Sequence, residues 1–184
     1  MITVRSKVQA LPPGWKAPAF VQSSVDAFIG YLLLDALVGN TDRHHENWAV
    51  LRLPDGTVHL APTFDHASSL GRNLLEEECA ERLRTKDRNR TVDAFAGRAL
   101  SALYHAETDK KPLSPLSAFL EAAHWSRAAA VGWLGLVEGL ADEEIDIIMG
   151  NVPPECISDT AAQFAQRLIS VNKRTLLGLK KEME

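Results

Sequence analysis

Between residues 23 and 39, apolar side chains recur every three or four positions: Val25, Phe28, Ile29, Leu32, Leu33, Ala36 and Leu37. That period is the mark of an α-helix with one face turned to a core. Ser23 and Asp26 supply an S-x-x-D start, and Gly39 supplies a left-handed stop. The helix therefore delivers residues 40–47 as a loop at its C-terminal end. The period then shortens. Trp48 to Leu53 and Thr57 to Ala61 read as two strands around the turn Pro54-Asp55-Gly56. If Leu53 faces Val58, paired residue numbers sum to about 111, which sets Asn47 opposite Phe64 and Asp65 beside Asn47.

Beyond residue 70 the pattern is helical again. Val92, Phe95, Ala96, Ala99, Leu100 and Leu103 repeat the amphipathic spacing, and Leu113 to Ala123 and Ala128 to Leu140 follow as helices after Pro112 and Pro115. Asp159 is placed to cap a last helix carrying Ala161, Phe164, Ala165, Leu168 and Ile169 on one stripe. Lys173, Arg174, Lys180 and Lys181 lie toward its C-terminal end, where the helix dipole favours cations. Residues 1–22, with Pro12, Pro13, Gly14 and Pro18, read as an irregular connector. The expected architecture is mostly α, a helical bundle with one short β-hairpin embedded in it.

Composition narrows the class without changing that picture. The chain has 184 residues, 46% hydrophobic and 24% charged, with a formal net charge of −4. This is one ordinary globular domain, and the acidic balance argues against a dedicated nucleic-acid binder. Cys79 and Cys156 make no disulfide framework, no signal core follows Met1 and no apolar run reaches membrane-spanning length. A cytoplasmic protein with reduced thiols is the expectation.

The chemistry concentrates in two short stretches. Asp42 stands five positions before Asn47, and Asp65 follows eighteen residues later. An aspartate, an asparagine at the fifth position after it and a second aspartate after a short excursion form the polar kit of kinase-type phosphoryl transfer. Asp42 would accept a hydrogen bond from the substrate hydroxyl, while Asn47 and Asp65, side by side at the open end of the hairpin, would hold Mg²⁺ on the phosphates of ATP. Taken singly, each residue could be an ordinary turn former. His44 is near enough to Asp42 to donate to a transferring phosphate. Arg43 and His66, adjoining the two acids, are assigned to the nucleotide. A rival reading gathers His44, His45, His59 and His66 with the acids around zinc or a two-metal hydrolase centre, but no H-x-x-x-H or C-x-x-C pair supports it. Arg82, Arg84 and Lys86 follow the acids Glu76, Glu77, Glu78 and Glu81. That run reads as a solvated, mobile segment, or as a substrate-docking stretch. Trp15, Trp48, Trp125 and Trp133 read as packing residues.

At Gly39-Asn40-Thr41-Asp42-Arg43-His44-His45-Glu46-Asn47 and Leu60-Ala61-Pro62-Thr63-Phe64-Asp65-His66 the sequence resembles the HipA-like serine/threonine kinases, and Asp42-Arg43-His44 also looks like the catalytic loop of phosphatidylinositol 3/4-kinases. The resemblance implies that Asp42 is the catalytic aspartate, that Asn47 and Asp65 are the metal pair, and that Mg²⁺ and ATP are the cofactors. It covers about residues 23–105, with residues 106–184 as the C-terminal helices of a kinase-like C-terminal lobe. The chain departs from the eukaryotic protein-kinase pattern in His66-Ala67-Ser68 after Asp65, and in Asn40-Thr41 before Asp42. Only 22 residues precede the first helix, too few for a nucleotide-covering N-lobe, so the expectation is a C-lobe whose activity alone is severely reduced. An exposed apolar face where the other lobe would pack is expected to favour self-association or a partner. The resemblance further suggests a protein Ser/Thr substrate or an antitoxin-like partner. The rival from another class is a non-catalytic lobe that binds such a partner.

Overall fold

The structure, a computed structural model, describes residues 8, 10–106 and 108–183. Its first helix, α1 (Ser24–Val38), begins with a capping box: Ser23 Oγ accepts from the Asp26 amide at 3.1 Å, and the Asp26 carboxylate accepts from the Ser23 amide at 2.9 Å. Gly39 closes the helix at φ +65°. Twelve of its 15 residues are buried, far more than one stripe. A helix covered on nearly all sides belongs at the centre of a bundle. Phe28, Ile29, Leu32 and Leu33 accordingly share a core with Phe119, Ala122, Leu134 and Ile169 from the helices around it. Close approach is built in at Gly30, where a Cβ would sit 2.4 Å from Trp133 Cε2. Trp133 itself donates Nε1–H to the Asp26 carbonyl at 2.7 Å, stacks on Trp15 and meets the edge of Phe20.

The hairpin joins β1 (Val50–Arg52) to β2 (Val58–Leu60), antiparallel, with Val50 opposite Leu60. Its pairs sum to one less than the sequence suggested. The reason is local: Leu53 pairs with Thr57 rather than Val58, its amide donating to the Thr57 carbonyl at 3.0 Å. The three-residue loop between them is closed by the Gly56 amide on the Leu53 carbonyl, with Gly56 at φ +87°. The end of the expected connector is not wholly irregular. Ala10 forms a parallel bridge to His59, and residues 1–7 and 9 lie outside the described residues.

Five of the seven helices among the described residues follow the hairpin as α2 (Glu76–Arg84), α3 (Val92–Arg98), α4 (Pro115–Ala123), α5 (Arg127–Gly139) and α6 (Asp142–Gly150), and the last, α7, spans Asp159–Met183. Several corrections arise. The run read as mobile is helical over its first part, α2, which ends at Arg84 and leaves Lys86 beyond it. Glu76, Glu77 and Glu78 occupy its positive first turn and Arg82 and Arg84 its last, while Cys79 buries against Val92, Phe164, Leu168 and Val171. Helix α3 stops at Arg98 instead of reaching Leu103, because Ser101 and Leu103 exchange backbone bonds with Leu113 at 2.8 and 2.7 Å. At the start of α7 the cap is Ser158, whose Oγ accepts from the Ala161 amide at 3.2 Å, and Asp159 is the first helical residue. Helix α6 was not anticipated. None of the helices described is long and apolar enough to cross a membrane.

Candidate active site

Residues 40–47 leave α1 as a loop whose backbone is fixed from below. Asn40 is buried, donating its amide N–H to the Asp35 carbonyl and Nδ2–H to Asp35 Oδ1, both at 2.8 Å. Its Oδ1 accepts from the Asp42 amide at 3.1 Å. The Asp42 carbonyl in turn accepts from the His44 amide at 2.9 Å and from Asn47 Nδ2 at 2.7 Å. These bonds hold Asp42 and Asn47 in one tight turn. The Asp42 side chain is 47% exposed, free to meet a substrate. Asn47 is buried, and because its Nδ2 is committed to the Asp42 carbonyl, its Oδ1 is the side-chain atom left to meet a cation.

The second half of the site arrives along the hairpin. The Tyr31 hydroxyl on α1 donates to the Ala61 carbonyl at 3.0 Å, and both the amide and hydroxyl of Thr41 donate to the Ser68 carbonyl, at 3.1 and 3.3 Å. Burial pushes the Tyr31 hydroxyl up from its ordinary pKa of 10.0 to about 12, against the opposing pull of the Arg43 charge. Asp65 lies between these ties, exposed and at φ +56°. Aspartate is one of the few non-glycine residues that tolerate this left-handed region, and positions held there cluster at functional sites.

Arg43 joins the two halves. Its guanidinium is 1% exposed. Nε donates to Asp35 Oδ2 at 2.6 Å and Nη2 to Asp35 Oδ1 at 2.8 Å, a bidentate pair. Nη1 donates to the Asn47 carbonyl and, at 3.4 Å, to the Phe64 carbonyl. Nη2 also reaches Thr63 Oγ1 at 3.0 Å and lies 3.5 Å from His66 Nδ1. One nitrogen thus serves the carbonyl of Asn47 and the carbonyl preceding Asp65.

A family model described as the HipA-like C-terminal domain matches residues 14–149. The chain belongs to that family. The HipA-like domain also shares its fold with a solved structure titled as the Helicobacter pylori proinflammatory kinase CtkA, at 22% identity and a TM-score of 0.68. The alignment covers 88% of this chain and 55% of that one, so the HipA-like domain spans little more than half the length of its neighbour. The fold is that of a kinase-like C-terminal lobe. No curated protein matches the chain.

Within this HipA-like domain the sequence-derived site divides. Asp42, His44 and Asn47 share one loop, with His44 Nε2 3.7 Å from Asp42 Oδ1, and Asp65 adjoins the Arg43-bound carbonyl of Phe64. Arg43, assigned to the nucleotide from the sequence, instead spends its donors on Asp35, on the Asn47 and Phe64 carbonyls and on Thr63 Oγ1. His66 is half-buried and turned the same way, its Nε2 3.1 Å from Thr63 Oγ1 and its Nδ1 3.7 Å from Asp35 Oδ1. Arg82 lies with its guanidinium 5.1 Å from the centre of the Phe95 ring, while Arg84 and Lys86 are exposed at the end of α2. His59 is held on the hairpin, Nδ1 2.7 Å from the Leu11 carbonyl and Nε2 3.1 Å from Thr57 Oγ1. Among the described residues no three His, Cys, Asp or Glu side chains gather as a metal site, which leaves the zinc-hydrolase reading without a ligand cluster. Sequence reasoning missed Asp35, Asn40 and Thr63. The one available signal was Asp35, a carboxylate inside an otherwise apolar helical run.

Proposed function

We propose that this HipA-like domain is the catalytic-loop lobe of a phosphotransferase that moves the γ-phosphate of ATP to a hydroxyl, with serine or threonine of a protein as the acceptor. The observation that supports the reading is the shared grip of Arg43 Nη1 on the carbonyls of Asn47 and Phe64, which ties the backbone of Asn47 to the backbone next to Asp65. The donor chemistry fits Mg²⁺: a neutral amide oxygen and a carboxylate are hard ligands that leave room for water and phosphate. Bound by Asn47 and Asp65, Mg²⁺ would neutralise charge on the nucleotide phosphates. Asp42, exposed and fixed through its own backbone, accepts the hydrogen bond of the acceptor hydroxyl and aligns its oxygen. His44, 30% exposed beside Asp42, is placed to donate to the transferring group.

Titration with ATP at saturating Mg²⁺ tests this. Binding that requires Mg²⁺ and is lost in Asp65→Ala supports the reading. The absence of any Asp65-dependent binding up to millimolar nucleotide refutes it.

One observation favours a second reading, a non-catalytic lobe that docks a protein partner or a further copy of itself. Val50, Leu51 and Phe64, on and beside the hairpin, are apolar side chains 45%, 39% and 38% exposed. A null ATP titration together with a concentration-dependent dimer in sedimentation would favour that reading.

A further inference from the structure

The family motif explains why Asp42, Asn47 and Asp65 are present, but not what sets the separation between the loop that carries the first two and the segment after β2 that carries the third. We propose that Arg43 is the positioning residue that fixes this separation, with Asp35 as the anchor that fixes Arg43. The inference rests on the phosphotransferase reading for its consequence in metal binding, although the brace itself can be tested without a ligand.

Arginine is required here by shape as well as charge. The Nε/Nη2 edge of the guanidinium is occupied by both oxygens of Asp35, at 2.6 and 2.8 Å. Because the group is planar, locking that edge fixes the direction of Nη1. Nη1 then meets the Asn47 carbonyl in the loop before β1 and the Phe64 carbonyl in the segment after β2. Asp35 is itself held: it is 2% exposed on the best-buried helix, and its Oδ1 accepts a further bond from Asn40. The chain of contacts therefore runs from the bundle core through Asp35 and Arg43 to the backbones on either side of the site. A lysine ammonium at this position could neutralise Asp35, but one nitrogen could not also hold two carbonyls at the angle the fork imposes. A buried charge with every donor used is also a poor choice for stability alone, since well-packed apolar residues do as well or better.

The experiment compares wild type, Arg43→Lys and Asp35→Asn, each checked for folding by its thermal transition. Amide hydrogen exchange is measured first, without ligand. The brace predicts at least tenfold faster exchange confined to residues 40–48 and 61–68, with α4 and α5 unchanged. Folded Arg43→Lys protein with wild-type exchange in both segments overturns the proposal. Should Arg43→Lys fail to fold, Thr63→Val removes a single contact of the guanidinium and is expected to loosen 61–68 selectively; unchanged exchange there overturns the proposal equally. The second measurement is Mn²⁺ binding in the presence of ATP, followed by the loss of free-ion paramagnetic resonance. Arg43→Lys should weaken the Mn²⁺-dependent part of ATP binding about tenfold and leave metal-free ATP binding as in wild type, a split that a general loss of stability would not produce. Equal weakening with and without metal overturns the positioning role. If wild type shows no Asp65-dependent Mn²⁺ binding while the exchange result holds, the phosphotransferase reading falls and the brace stands.

Discussion

Removing one oxygen atom from α1 should alter how the fold answers to alkaline pH. Tyr31 is 9% exposed, and its hydroxyl donates to the Ala61 carbonyl at 3.0 Å. In Tyr31→Phe the ring still packs, but the bond is lost and the Ala61 carbonyl is left without its partner. The expected cost at pH 8 is about 1–2 kcal/mol. The wild-type hydroxyl, with its pKa raised to about 12, carries a second and opposing effect. A group whose folded pKa lies above its unfolded value contributes stability that is fully present below the unfolded pKa and is lost as pH rises through the folded one. Here the loss begins near pH 10 and reaches about 2 kcal/mol by pH 12, from a shift of roughly two units at about 1.4 kcal/mol each, less the part not yet titrated. Phenylalanine cannot ionise, so the mutant is spared this loss.

The two proteins should therefore converge. Urea unfolding followed by tryptophan fluorescence at intervals from pH 8 to pH 12 gives the difference directly, because every other titrating group is common to both. Wild type should be the more stable at pH 8, and the advantage should shrink above pH 10 and vanish or reverse by pH 12. A constant difference across the whole range would refute the claim that the Tyr31 hydroxyl is held neutral by burial.

Two glycines at positive φ offer a matched contrast. Gly71 (φ +73°) would place a Cβ 2.4 Å from Phe164 Cε1, whereas Gly56 (φ +87°) has open space around it. Gly71→Ala should lower stability by about 2–4 kcal/mol, combining backbone strain with overpacking, and Gly56→Ala by only about 1 kcal/mol; equal shifts in the urea midpoint would refute the steric part. The two thiols should separate as sharply. Cys79 is 2% exposed and its pKa is raised by burial and by Glu78, while Cys156 is exposed. Iodoacetamide at pH 8 should label Cys156 at the rate of a free thiol and Cys79 only after denaturant is added, as read by peptide mass.

What could be read from the sequence was whatever local chemistry decides. The S-x-x-D start and Gly39 bound α1, because capping uses groups within a single turn. Pro54-Asp55-Gly56 located the hairpin for the same reason. The register slipped by one because a three-residue loop and a four-residue loop around the same turn differ by a single backbone bond, which composition does not reveal. Helix α2 was missed because its burial rests chiefly on Cys79, and the residues that cover it, Phe164, Leu168 and Val171, lie some ninety positions away. Arg43 was misassigned for a related reason. Beside Asp42 in sequence, it reads as a group facing phosphate. Nothing local tells a loop arginine to turn inward, and only its contact with Asp35 explains the burial.

The left-handed backbone of Asp65 shows what that inward turn achieves. A non-glycine residue at positive φ persists only where its surroundings over-determine it, since the conformation costs on the order of 1–3 kcal/mol. Around Asp65 the ties fall on both sides: Tyr31 at Ala61, Arg43 at Thr63 and Phe64, the His66 ring beside Arg43 and Asp35, and Thr41 at Ser68. The partners that make these ties, Tyr31, Asp35, Thr41 and Arg43, all come from α1 or from the loop that leaves it. Asp65 itself is exposed and hydrogen-bonds to none of them. The segment after β2 is therefore referenced to the most buried element of the bundle at several points, while the Asp65 carboxylate stays exposed. A loop closed only by its hairpin turn would let Asp65 relax into the extended region; the bracket from α1 holds the backbone on both sides of it.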